Sequence, residues 1–280
     1  MRSFFEASAL SRTMYYALNA LIGIIFLIPF YWTVSTSLKP TQNILVYPPQ
    51  IIPNPVTLDN FRFMLVERPE VRGYFYNSAI VATGSVITVL ALSTLAGYGF
   101  AKLHVPFKSL LFFSILLGLM IPNQSLLIPL FDMFQRFDLI NTRVGLILLY
   151  TMFQLPFSVF LMRNSFETIP SAILEAARID GASEFHIWRQ IAIPLALPGV
   201  VTVAILTFIF SWNEFLIALI FTTTDAMKTV PVGLSVLMGI YGTQWEMLTT
   251  VATLSFIPVI VLFVVSQRAF MRAVASGAVK

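Results

Sequence analysis

Residues 73–101 read GYFYNSAIVATGSVITVLALSTLAGYGFA, 29 positions without a charge between Arg72 and Lys102. A helix needs roughly 20 apolar residues to cross the hydrocarbon layer, where only helices and closed barrels satisfy their own backbone polar groups. The stretch therefore reads as a membrane span. The fold then depends on how often the pattern recurs along the chain.

Composition says that it recurs widely. The chain has 280 residues, of which 58% are hydrophobic and only 11% charged. A soluble chain carries about a quarter charged residues and could not cover its surface with so few. Apolarity excludes long disorder, and the absence of Cys excludes a disulfide scaffold.

Uncharged runs of at least 17 residues occur at 13–38, 40–58, 73–101, 109–131, 144–162, 190–213, 229–245 and 247–267. The 40–58 run holds Pro40, Pro48, Pro49, Pro53 and Pro55, which no helix tolerates. The 229–245 run is short and contains Pro231, Gly233, Gly239 and Gly242, so it reads as an interfacial or re-entrant piece. Six spans remain, at about 14–36, 75–101, 109–131, 144–162, 194–213 and 247–267. Pro29, Pro122, Pro129, Pro156, Pro198 and Pro258 within these runs suggest kinks, as expected around a pathway. The fold expected is an all-α polytopic membrane protein, one domain over 1–280, surrounded by lipid.

With the N-terminus inside, the inner segments carry 10 Lys/Arg and the longer outer ones carry 7, so the positive-inside rule places both termini in the cytoplasm. Residues 1–30 do not read as a cleavable signal, because the apolar stretch is too long and lacks a small-residue cleavage site. The net charge of +4 is a topology signal and does not point to nucleic acid.

One inner connection is long. Residues 163–193, RNSFETIPSAILEAARIDGASEFHIWRQIAI, read as two short helices with a break at Gly181. Pro170 suits a helix start, with Thr168 or Ser171 as cap. Ile169, Ile173 and Ala177 form an apolar stripe beside Leu174. Gly181 stands where a helix C-cap wants positive φ, and Ser183 caps a second turn bearing Phe185 and Trp188. A hairpin lying on headgroups is the alternative, but Glu175, Asp180 and Glu184 would then face an anionic leaflet. A socket on another protein fits these charges better.

Glu175-Ala176-Ala177-Arg178-Ile179-Asp180-Gly181, nine further residues, and Ile191-Ala192-Ile193-Pro194 resemble the EAA motif of ABC-transporter permeases. Only Ile193 departs from the pattern, where Leu is usual. Ser37-Leu38-Lys39-Pro40, Met120-Ile121-Pro122, Trp212-Asn213-Glu214, Gln267-Arg268 and the tail Gly277-Ala278-Val279-Lys280 resemble the carbohydrate-uptake branch, in particular the maltose-type permease of the G kind. The tail usually runs one Gly further, and 41–72 is the stretch that resembles the branch least.

The resemblance implies an importer for di- or oligosaccharides. Its parts would be this chain, a homologous second permease, two ATPase subunits and an extracytoplasmic solute-binding protein. No cofactor would be bound here; ATP and Mg would belong to the ATPase subunits. Polyols and glycerophosphodiesters are alternative solutes within the same family. The loop would be a coupling hairpin, with Glu175 and Asp180 charged, Ala176 and Ala177 allowing close approach, Gly181 bending, and Phe185 and Trp188 anchoring. Asn123, Gln124, Ser125, Trp212 and Asn213 are candidates for the pathway, or else for hydrogen bonds between helices. Tyr241, Gly242, Thr243 and Gln244 lie where relatives have a loop that probes the binding protein.

Chemistry missing from the residues agrees with a borrowed energy source. No G-x-x-x-x-G-K-[ST] loop is present to cradle ATP. Gly97-Tyr98-Gly99 lacks the third Gly of a dinucleotide loop and reads as close helix packing. His104 and His186 lie in separate loops, so a metal site is not expected, nor a catalytic constellation. The six runs hold no ionisable residue for proton or sodium coupling, and no inverted repeat supports a stand-alone carrier.

Overall fold

The computed structural model of the chain describes residues 9–239 and 244–277. Among them all regular structure is helical. The main helices are α1 (Ala9–Ser37), α2 (Pro69–Lys102), α3 (Lys108–Leu117), α4 (Leu127–Arg136), α5 (Arg143–Glu167), α6 (Ser171–Ile179), α7 (Glu184–Ile187), α8 (Leu197–Asn213), α9 (Leu216–Phe221), α10 (Val230–Gly239) and α11 (Trp245–Gly277). α1, α2, α5 and α11 are each long and apolar enough to cross a membrane alone. Pro29, Pro156 and Pro258 sit inside α1, α5 and α11 without ending them.

The other two expected spans are broken. The 109–131 run supplies two arms, up to Met120 and from Asn123, bent by 93°. Pro122 has no N–H to continue a helix, and Ile121 before it is driven to extended backbone at φ −84°, ψ 121°. The 194–213 run begins as the end of the 184–195 arm, turns at Ala196 and continues as α8, with 80° between the arms. α10, ten residues long, is too short to cross the hydrocarbon layer.

The described parts of 1–69 and 236–256 form one compact unit, and those of 70–235 and 257–280 a second. In the first unit, Lys39 is only 1% exposed at the end of α1. Its ammonium donates to Gln50 O at 2.6 Å and lies 4.5 Å from the Trp32 ring centre, while burial pushes its pKa down. Asn60 Nδ2 donates to Ser37 O and Lys39 O at 2.9 and 2.8 Å. The proline-rich segment is thus tied to the helix end by hydrogen bonds, since it has no helix of its own beyond a single turn at Thr41–Asn43.

In the second unit, α2 and α5 run through two apolar cores. One gathers Val81, Leu146, Leu149, Tyr150, Phe221 and Val232. The other gathers Tyr98, Met162, Phe166, Leu174 and Ile187 beneath the 171–195 hairpin. The helices touch at Gly97, where an added Cβ would meet Met162 Cβ at 2.7 Å and Arg163 N at 2.8 Å. Gly99 faces open space, so close packing accounts for one glycine of the pair.

Candidate functional site

The 171–195 hairpin is built on a buried underside. Leu174 is 1% exposed and Ile187 is fully buried, and both pack against Phe166 and Met162 of α5. The expected stripe is corrected here: Ile173 is 43% exposed, and Ile169, though buried, precedes the helix. Neither expected cap closes α6. Pro170 stands at its N-cap without a side-chain bond, and Thr168 Oγ1 donates back to Ser165 O at 2.8 Å. Pro170 fixes the entry backbone unaided. At the bend Gly181 has φ +85°, a conformation that costs an L side chain about 1–2 kcal/mol. Ser183 Oγ accepts from His186 N at 3.3 Å and caps α7.

The outward side of the hairpin is apolar at several points. Phe185 is 62% exposed and its ring lies 5.1 Å from that of the half-buried Trp188. Ile179, which the sequence reading did not single out, is 87% exposed one turn beyond Glu175. The signal was its place as the last apolar residue before the Gly181 turn. Glu175, Ala176, Asp180 and Gly181 are exposed and Ala177 is half-buried. Ala177, Asp180, Gly181, Ser183 and His186 border an open hollow of about 610 Å³. Trp188 Nε1 is buried without an acceptor among the described residues.

Two side chains of α2 hold the hairpin from behind. Tyr98 OH donates to Glu184 Oε2 at 2.9 Å, and Lys102 Nζ donates to Ile169 O at 2.6 Å. Arg178 Nε donates to Glu184 Oε1 at 2.6 Å across the Gly181 bend. The Arg178 guanidinium, helped by the tyrosine hydroxyl against the effect of burial, lowers the Glu184 carboxyl below its ordinary range. Neither Tyr98 nor Lys102 was legible as a site residue, because each partner lies more than 60 residues away.

The pathway candidates fall at two interruptions. Asn123, Gln124 and Ser125 are exposed on the turn between α3 and α4. Asn213 is exposed at the end of α8, where its Nδ2 donates to Ile209 O at 2.8 Å. Trp212 is only 4% exposed, stacked on Phe208 with centroids 5.6 Å apart and inclined to Phe75. Glu214 closes the same interruption, its carboxylate accepting from Ile217 N, Ala218 N and Tyr150 OH at 2.8, 2.9 and 3.0 Å. Tyr241, Gly242 and Thr243 lie outside the described residues; Gln244 O accepts from Met247 N and Leu248 N at the start of α11.

A helical chain with an outward hairpin and two broken spans can be compared with known proteins. Residues 90–276 match the family described as binding-protein-dependent transport system inner membrane component. The chain belongs to that family. This inner membrane component is a multi-pass cell-membrane protein, a permease within a binding-protein-dependent transport system, and the match includes the whole hairpin and both interruptions. It is 38% identical over 279 residues to a trehalose transport system permease protein of Mycobacterium tuberculosis, covering 96% of this chain and 98% of the relative. It is 31% identical over 264 residues to a diacetylchitobiose uptake system permease protein of Streptomyces coelicolor, covering 94% and 87%. Its fold matches a bacterial ABC transporter involved in the import of the acidic polysaccharide alginate, with TM-score 0.81 and 22% identity, covering 94% of this chain and 99% of that one.

Proposed function

We propose that this permease carries di- or oligosaccharides inward, delivered by an extracytoplasmic binding protein, and that its 171–195 hairpin docks on an ATPase subunit. The observation that carries the docking is the hairpin itself: an underside packed into a buried core beneath exposed Ile179 and Phe185. Exposed apolar side chains gathered beside a hollow and rimmed by polar residues mark a site of protein interaction. Six spans with both termini cytoplasmic put the hairpin on the side where ATP is available. ATP and Mg belong to two partner ATPase subunits, and a homologous second permease completes the channel.

The sugar assignment is supported by relatives whose names specify trehalose and diacetylchitobiose. The pathway would pass the turn at Asn123, Gln124 and Ser125 and the end of α8 at Asn213. Irregular backbone at membrane depth is tolerated where it lines a wet cavity or is buried in protein. The buried Trp212 would back this wall rather than face the solute. Transport of several sugars by N123A and N213A separates the roles, since a changed preference means contact and a uniform loss means structure. Gln244 and the preceding residues would meet the binding protein.

The test of docking is ATP hydrolysis in the assembled complex, stimulated by the partner binding protein. Gly181→Val strains the bend at φ +85° without crowding a neighbour, and Glu175→Lys reverses an exposed charge. Both should lower the stimulation while the complex still assembles. Unchanged stimulation in both would remove the hairpin from the coupling.

A further inference from the structure

α2 is clamped at its C-terminal end and again about two turns in from its start, by side chains that reach other segments. At one end Tyr98 and Lys102, one turn apart, donate to Glu184 and to Ile169 O, the second helix and the entry of the hairpin. Tyr98 is 3% exposed and its ring meets Phe166 edge-on at 5.6 Å, so the hydroxyl has little freedom to look elsewhere. Near the other end Asn77, fully buried, donates from Nδ2 to Ala226 O and Lys228 O at 2.8 and 2.9 Å. Its neighbour Ser78 accepts from Val230 N at 2.8 Å. Between Asn77 and Tyr98 the helix is unbroken and contains no proline, spanning about 32 Å at 1.5 Å per residue.

The segments covalently continuous with the hairpin are less suited to carry its displacement. α8 leaves the hairpin through an 80° bend at Ala196, and α5, though continuous, carries Pro156, which removes one hydrogen bond from its ladder. α2 has neither a bend nor a proline between Asn77 and Tyr98. We propose that α2 is the lever of this permease, with Tyr98 and Lys102 as positioning residues that take up hairpin movement and Asn77 and Ser78 passing it to the 226–230 segment. This rests on the hairpin docking on an ATPase subunit.

The experiment uses the full complex in proteoliposomes, with ATP hydrolysis read without and with the partner binding protein as purified. Y98F keeps the ring and removes the donor; K102M keeps the stem and removes the ammonium. Each should lower the fold stimulation by about three- to ten-fold, the range one hydrogen bond of this kind supports. K102R, which retains a donor, should recover most of it. Y98F/E184A should be no worse than E184A alone, because the two act through one contact. Thermal midpoint and assembly are recorded beside it, since a merely structural role would lower those and leave the fold stimulation of the surviving complex intact. Normal stimulation in Y98F and K102M, or additive losses in Y98F/E184A, would overturn the lever. Gly181→Val run in parallel separates the two ideas. If it abolishes stimulation while Y98F and K102M do not change it, only the lever fails. If it too has no effect, the docking reading fails.

Discussion

Arg143 Nε donates to Asn77 Oδ1 at 2.8 Å, joining the first turn of α5 to a side chain buried in α2. Because the Asn77 amide also donates to Ala226 O and Lys228 O, one residue satisfies three polar groups from two other segments. The Arg143 guanidinium lies 5.0 Å from the Tyr76 ring centre, which holds it over the contact. An arrangement with every member satisfied is stable, and losing its hub leaves several groups stranded together.

Asn77→Ala should therefore destabilise the folded permease by about 2–3 kcal/mol, since two carbonyls and a guanidinium N–H lose their partner at once. Arg143→Ala should cost less, because the Asn77 amide keeps both carbonyls. Thermal unfolding in detergent would show the order, and equal midpoints for the two variants would contradict it.

Glu214 should matter through its geometry more than its charge. Its carboxylate caps α9 by accepting from two backbone N–H groups and also accepts from Tyr150 OH. Glu214→Ala should lose about 1–2 kcal/mol as the cap disappears. Glu214→Gln keeps one good acceptor and should lose less, and Tyr150→Phe least. The same unfolding measurement ranks them.

The two glycines flanking Tyr98 should respond in opposite directions. Gly97→Ala drives a methyl into the α5 backbone at Arg163, where nothing can yield, and should cost about 1–3 kcal/mol. Gly99→Ala meets no atom within 4 Å and should gain about 0.5–1 kcal/mol by reducing unfolded-state freedom in a helix interior. Loss of stability in both would show that Gly99 also packs closely.

The Arg178–Glu184 pair sets a pH expectation. The carboxyl is lowered from 4.5 chiefly by the Arg178 hydrogen bond. A lowered carboxyl contributes stability above its unfolded pKa and loses it as pH falls through the folded value. With side chains 36% and 45% exposed, the contribution should stay below about 1 kcal/mol. Glu184→Gln and the unaltered chain should thus differ in midpoint at neutral pH and converge in acid; a gap that widens on acidification would refute the assignment.

Much of this was legible in the residues because lipid imposes a local rule. Any segment crossing hydrocarbon must satisfy its own backbone and exclude charge, so 73–101 announces a span without reference to the rest of the chain. Gly181 was equally local, since a bend at positive φ selects glycine wherever it lies. The break at Pro122 was half legible: proline signals a kink, but the 93° between its arms depends on what packs against each.

The sequence by itself determined the membrane, the apolar runs and the position of the hairpin, all consequences of chemistry within a few neighbouring residues. Only the tertiary structure decided that Tyr98 grips Glu184, 86 positions away, that Asn77 holds a loop 149 positions away, and that Trp212 is buried against Phe208. A polar side chain in an apolar run must find a partner, but which partner depends on how the helices are brought together.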